Sequence, residues 1–153
     1  MTDDTIIRSA VAGDLAAILS VEAACQSVTW SSESFQQELS DENTLGCVAQ
    51  AANGTVCGYV LARCAADECM VHTIAVLPFF RRRSIGVLLM KELMARAVLR
   101  RIATLFLEVR GKNMGAQAFY TALGFTSCGA RKAYYRDDDD DAIIMVRPLD
   151  LSA

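Results

Sequence analysis

Apolar and polar positions along this chain switch between a period near two and a period near 3.6, and each switch marks a new element. Ile6–Arg8 is a short strand candidate. Over Asp14–Ala24, Leu15, Ile18, Leu19 and Glu22 fall at helical spacing, with Asp14 placed to cap the start or offset the dipole. Ser31 or Ser32 can cap a second helix that carries Glu33 in its first turn and Phe35 and Leu39 on one face. Leu45–Gln50 and Val56–Arg63 read as strands around the tight-turn dipeptide Asn53-Gly54, and Cys69–Leu77 as a further strand ended by Pro78. The clearest helix is Ile85–Arg101, where Ile85, Leu89, Leu93 and Ala97 form an apolar stripe opposite Glu92, Arg96 and Arg100. Thr104–Arg110 is a strand, Asn113–Leu123 a short helix terminated by Gly124, and Phe125–Arg131 and Ala142–Arg147 are two last strands. This order predicts an α/β fold with a sheet of mixed direction, because its hairpins and its crossover helix cannot all be parallel.

The 153 residues suit one domain, spanning 1–153, with room for one core. An apolar fraction of 53% and only two prolines exclude disorder and low complexity as whole-chain readings. No apolar run approaches the roughly 18 residues that a membrane span needs. Asp3 and Asp4 stand where a secretory signal would be basic, so no such signal and no membrane association are expected. The six cysteines include no pair at zinc-knuckle or redox spacing, and His72 is the single histidine. They read as small buried hydrophobes in a reducing cytosol, with no metal site.

Net charge changes the picture only when it is divided along the chain. Residues 1–80 hold two basic and ten acidic side chains, net −8; residues 81–136 hold twelve and two, net +10; residues 137–153 hold one and six, net −5. A basic middle in a chain of total charge −3 argues against a nucleic-acid coat. It points instead to one segment that handles an anion and another that can meet a cation.

The anion-handling candidate is the stretch Ile74–Gly86. A strand ends at Pro78, the basic loop Arg81, Arg82, Arg83 follows, and the long helix opens at Ser84, Ile85 and Gly86. Unpaired N–H groups and the dipole at a helix start suit a phosphate or pyrophosphate, and small residues let the backbone approach it. A solvated basic loop before an ordinary helix is an equal alternative from spacing alone. The stretch is neither a Walker loop nor a dinucleotide fingerprint, since both glycine patterns are absent.

The run Arg81-Arg82-Arg83-Ser84-Ile85-Gly86 resembles the acetyl-CoA pyrophosphate loop of the GNAT N-acetyltransferases, Q/R-x-x-G-x-G/A, with Ser84 standing at the first glycine. Leu107-Glu-Val-Arg110, Asn113 and Ala118-Phe-Tyr-Thr-Ala-Leu-Gly-Phe125 continue the resemblance, as do Trp30-Ser31, Tyr134-Tyr135 and Asp141-Ala-Ile-Ile-Met145. The combination is similar to the RimI-like branch, whose bacterial members acetylate the N-terminal alanine of a small-subunit ribosomal protein. The resemblance implies a mixed, mostly antiparallel sheet of about six or seven strands flanked by about four helices. It also implies acetyl-CoA as co-substrate, Glu108 as general base through water, and Tyr120 as general acid toward the thioester sulfur. The pantetheine arm would meet Ile74, Ala75 and Val76 on a bulged strand, and Asn113; the pyrophosphate would meet residues 81–86, Arg81 to Gly86.

Each assignment has an ordinary alternative. Glu108 can be an outward strand residue paired with Arg110 or Lys112. Tyr120 can simply pack, beside Phe119 and Leu123. His72 is a reserve base or a satisfied sheet histidine. Trp30, Tyr134 and Tyr135 are groove walls or core. The run Asp137, Asp138, Asp139, Asp140 and Asp141 is a solvated loop, or the border of a groove that attracts a basic protein N-terminus. The expected protein is a cytoplasmic, monomeric N-α-acetyltransferase acting on a basic N-terminus, such as a ribosomal one. Alternatives are a lysine or small-amine acetyltransferase, or a silent acyl-CoA-binding module.

Overall fold

Alternation along the central strands decides the layering. The computed structural model describes residues 4–25, 30–135 and 140–152, and of Ala133 and Tyr135 the backbone only. Seven strands form one sheet: β1 (Ile6–Ser9), β2 (Thr44–Gln50), β3 (Val56–Ala65), β4 (Glu68–Val76), β5 (Thr104–Arg110), β6 (Thr126–Tyr135) and β7 (Asp140–Pro148). Their spatial order is β1-β2-β3-β4-β5-β7-β6, and every pairing is antiparallel except β4 with β5. The sheet is of mixed direction, as the pattern predicts, and mostly antiparallel with four helices, as the resemblance implies.

Successive strand residues point to opposite faces. On one face Cys47, Ala49, Val60 and Ala62 pack under Ile85, Leu89, Met90, Leu93 and Ala97 of α3 (Ile85–Leu99), together with Tyr120 of α4 (Met114–Ala122). On the other, Val48, Tyr59 and Leu61 pack under Ile18 and Val21 of α1 (Leu15–Cys25) and Phe35 of α2 (Ser32–Ser40). Each central side chain is thus removed from water on one side or the other, which is where most folding free energy arises. Cys47, Cys57 and Cys69 are buried as expected, whereas Cys128 is exposed. The free thiols of Cys64 and Cys69 face each other across β3 and β4 at 2.8 Å.

Helix ends follow local chemistry. Ser31 accepts from the Ser34 N–H at 3.1 Å and caps α2. The expected helix over 85–101 stops at Leu99, because Arg101 takes a left-handed φ of 60°. The Ile102 N–H then reaches the Ala97 carbonyl at 3.0 Å and the Arg101 N–H reaches Val98 at 2.9 Å, a Schellman closure built on an arginine. The helix before Gly124 ends the same way, with Phe125 N–H on the Tyr120 carbonyl at 3.1 Å and Gly124 at φ 95°.

Asp14 differs from its expected role. It lies in a 3-10 turn, Ala12–Asp14, ahead of α1. Its buried carboxylate takes two bonds from Arg8, at 2.8 and 2.9 Å, and the Val11 N–H at 2.8 Å. It therefore ties β1 to the turn that launches α1 rather than capping α1 alone. The Arg8 hydrogen bonds hold its pKa below the usual carboxylate value. A depressed folded pKa gives stability that is present above the unfolded value of about 4 and is lost as pH falls through the folded one. Urea titrations of the parent protein should therefore lose stability below about pH 4, and Asp14→Asn should flatten that loss while lowering stability at neutral pH.

Candidate active site

The parallel pair β4 and β5 is joined only over its first half. Its register runs from Glu68 with Thr104 to Val71 with Leu107 and stops there. Beyond that point β4 follows β3 and β5 follows β7, so the two strands separate. The break coincides with a bulge. Thr73 pairs with Leu61 and Val71 with Ala62, leaving His72 as the extra residue that bends β4. The bulged strand implied by the resemblance is thus present, centred on His72.

A cleft of about 510 Å³ occupies the gap. His72, Thr73 and Ile74 line it from β4, Glu108, Val109 and Arg110 from β5, and Asn113, Ala116 and Tyr120 from the helix side; Glu22 and Trp30 line it from the opposite layer. Glu108 and Tyr120 therefore face one cavity, the condition that a shared chemical role requires. The Glu108 carboxylate meets neither Arg110 nor Lys112 in an ion pair among the described residues. Its partner is Arg131 of β6, at 3.5 Å. Arg131 also stacks on the Tyr134 ring, 5.4 Å from its centroid. Because Arg131 is 56% exposed, the pair is solvent-screened and serves to aim the carboxylate more than to bind it.

Tyr120 is buried between Phe119 and Phe125, whose ring centroids lie 5.2 and 5.7 Å away. Burial pushes its phenol up to about 12. A proton held that firmly is present throughout the neutral range and is available to a strong acceptor. Among the described residues its hydroxyl makes no hydrogen bond. Asn113 caps α4 by accepting from the Ala116 N–H at 3.0 Å while lining the cleft, so its two expected roles coexist. Gln117, which sequence reasoning passed over, pins the preceding turn by donating to Arg110 and Gly111 carbonyls at 3.0 and 2.9 Å.

A second cleft of about 520 Å³ adjoins the first and shares Ile74, Ala116 and Tyr120 with it. Ala75, Val76, Arg81, Arg82, Ser84, Ile85 and Gly86 line it at the start of α3. The first N–H groups of α3 have no acceptor within the helix, so this wall offers the positive end of the dipole. The three arginines are not equivalent. Arg81 donates Nε to the Val76 carbonyl at 3.0 Å, which also accepts from the Cys25 thiol. Arg83 lies over the Phe79 and Phe80 rings, about 5 Å from their centroids, and does not line the cleft. Arg82 lines the cleft at a left-handed φ of 63°. Gly86 allows α3 and α4 to approach, since a Cβ there would sit 3.3 Å from Phe119.

Ser84 has φ 62° and makes no side-chain cap. The position thus demands the left-handed conformation that glycine adopts freely, which is the physical reason a pattern glycine belongs there.

Of the remaining expected residues, Trp30 packs on Phe35 and edge-on to His72, 5.1 and 5.6 Å between centroids, at the mouth of the first cleft. Tyr134 is half-exposed and lines neither cleft. The Tyr135 side chain, Asp137 and Asp138 lie outside the described residues, as does Asp139. Asp140 is not part of a solvated run. It is buried and accepts the N–H of Lys112 at 3.0 Å and of Asp141 at 2.8 Å, tying β7 to the end of β5. Arg131 and Glu22 escaped the sequence reading, because nothing local connects them to residues 108 or 120.

The sequence model of the acetyltransferase (GNAT) family matches residues 15–125. The [ribosomal protein bS18]-alanine N-acetyltransferase of Escherichia coli K12 is 32% identical over 147 residues, covering 95% of this chain and 98% of that one. The N-alpha-acetyltransferase RimI of Mycobacterium tuberculosis is 37% identical over 122 residues, 77% of this chain and 75% of the other. Among solved structures, the ribosomal-protein-S18-alanine N-acetyltransferase of E. coli superposes with a TM-score of 0.90 at 32% identity, covering 97% and 96% of the two chains.

The left-handed loop residue makes a direct test. Ser84→Gly should leave thermal stability unchanged or slightly raised, because relief of about 1–2 kcal/mol of strain offsets the added freedom of the unfolded glycine. Ser84→Val, β-branched at positive φ, should lower stability by about 1–2 kcal/mol in urea unfolding.

Proposed function

The chain belongs to the acetyltransferase (GNAT) family, and from that premise we propose that it transfers acetyl from acetyl-CoA to the N-terminal α-amine of a protein, a basic ribosomal one with N-terminal alanine. The observation that carries this reading is the meeting of two clefts at Tyr120. One presents the N-terminus of α3 and Arg82, suited to a pyrophosphate; the other presents Glu108. A thioester held along Ile74–Val76 would bring its sulfur past Tyr120 and its carbonyl toward Glu108. The names of the relatives at 32% and 37% identity support the acceptor class. The reading is of a cytoplasmic enzyme.

The residues divide the chemistry as follows. The acceptor amine attacks the thioester carbonyl, forming the N–C bond. Before that attack the ammonium form gives one proton to Glu108, directly or through one water, and the second proton released from nitrogen on acylation replaces the one that Tyr120 donates. Collapse of the tetrahedral adduct breaks the C–S bond, and the sulfur leaves with the proton of the Tyr120 hydroxyl. An α-amine, with a reference pKa of about 8 against about 10.4 for lysine, gives up its proton to a modest base. Trp30, at the mouth of the first cleft, forms a wall of the acceptor groove, and the acidic stretch Asp137-Asp138 supplies negative charge in the sequence. Carboxylates there would attract a basic peptide.

A CoA-release assay with peptides beginning Ala-Arg, Ser or Met, and one with only an internal lysine, tests the reading. Release should be fastest with the alanyl peptide, and mass mapping should find the acetyl group on its α-amine. Glu108→Gln should lower kcat by about 10²-fold or more, most strongly at low pH, with acetyl-CoA affinity nearly unchanged. Tyr120→Phe should lower kcat comparably. In the parent, Tyr120 should impose no loss of rate below about pH 11, since its phenol titrates only at about 12. Full kcat in both variants overturns the mechanism, and ε-acetylation alone overturns the acceptor.

A further inference from the structure

Glu22 of α1 is a carboxylate in an apolar layer. It is only 3% exposed and sits beside Ile18 and Val21, on the face that packs against the sheet. The Tyr59 hydroxyl donates to Oε1 at 2.5 Å. A phenol has one proton to give, so the Thr73 hydroxyl, 2.9 Å from the Tyr59 oxygen, is the donor in that second contact. The chain Thr73 to Tyr59 to Glu22 thus delivers one neutral hydrogen bond to the carboxylate and no positive charge. No Lys, Arg or His pairs with Glu22 among the described residues.

Glu22 nevertheless lines the cleft that holds Glu108 and Tyr120. Its second oxygen, Oε2, makes no hydrogen bond. Among the described residues the Thr5 hydroxyl is the buried side-chain polar atom without a partner, so Oε2 is not sealed off and keeps contact with the cleft. A carboxylate removed from bulk water is costly to hold without a counter-charge. The cleft supplies none of its own to this group: His72 pairs with Glu38 at 3.7 Å, and none of the ion pairs among the described residues involves Glu22. The missing partner is a cation that enters the cleft.

We propose that Glu22 is the binding residue for the protonated α-amino group of the acceptor, an inference that rests on the N-terminal acceptor reading above. With a pKa of about 8, such an amine arrives charged at neutral pH. Glu22 recognises that charge, and Glu108 removes the proton before attack. Two carboxylates in one cleft then carry separate duties. Glu22 governs binding of the acceptor, and Glu108 governs the rate of transfer.

The test measures binding without turnover. Wild type saturated with CoA is titrated calorimetrically with an alanyl peptide, and with the same peptide capped by lactate, which replaces the ammonium by a hydroxyl. Wild type should bind the amine form about tenfold or more tightly. Glu22→Gln keeps the Tyr59 hydrogen bond but loses the charge, and should abolish that preference while CoA affinity stays unchanged. Glu22→Met, apolar and of similar reach, should do the same, and Tyr59→Phe, which keeps the carboxylate, should retain the preference. A Glu22→Gln protein that still prefers the amine, or that weakens both peptides equally, overturns the inference, as does loss of the preference in Tyr59→Phe. Wild type that binds neither peptide overturns the acceptor reading together with it.

Discussion

The end of hydrogen bonding between β4 and β5 is the constraint on which the rest of this structure depends. Continued in the same register, parallel pairing would set Glu108 opposite His72 and leave no space between the strands. Pairing instead stops at Val71 and Leu107, where His72 is inserted as a bulge residue. Bulges increase local twist and re-aim the strand. Each strand keeps its outer neighbour, β3 or β7, so the sheet stays continuous while its centre opens. Both clefts lie in or beside that opening, and α3 and α4 are anchored on the same face by the core that includes Leu89, Leu93 and Tyr120.

Charge is arranged to match the opening. Of three consecutive arginines, one is tied to a β4 carbonyl, one lies over two phenyl rings, and Arg82 lines the cleft beside the helix start. Arg81 lines the same cleft while tied to that carbonyl, so a run of like charge in sequence is split into two cleft-lining groups and one held on aromatic rings. Glu108 is aimed by a partly exposed arginine that arrives from β6, more than twenty residues along the chain. Glu22 reaches the same cleft from the opposite helical layer, held by a phenol from β3 that itself accepts from a hydroxyl of β4. Three elements distant in sequence thereby fix one carboxylate.

Two of the four described non-glycine residues at left-handed φ lie in the loop before α3. Arg82 and Ser84 both adopt left-handed conformations that non-glycine residues usually avoid. The turn they make directs the first N–H groups of α3 into the cleft. The cost of that conformation is small beside the burial along Ile85, Leu89 and Leu93, which holds α3 in place.

Local chemistry sufficed for the elements. Alternation marked all seven strands, helical spacing all four helices, and Gly124, Ser31 and Asn113 their punctuation, because caps and periods act over a few residues. The arginine loop, Glu108, Tyr120 and Asn113 were legible through motif spacing along one strand and one helix. Asp140 misled as one of five aspartates, since only the tertiary structure turns it inward onto the Lys112 N–H. The Schellman turn at Arg101 was hidden because no glycine announces it. Arg131 on Glu108, and Glu22 beneath the cleft, could not be read in sequence at all. Long-range ion pairs and a buried charge depend on which side chains the sheet order brings within a few ångströms. The sequence by itself determined the elements and the basic loop before α3; only the tertiary structure decided which acids share the cleft and which cations reach them, because Coulomb attraction and desolvation act through space and not along the chain.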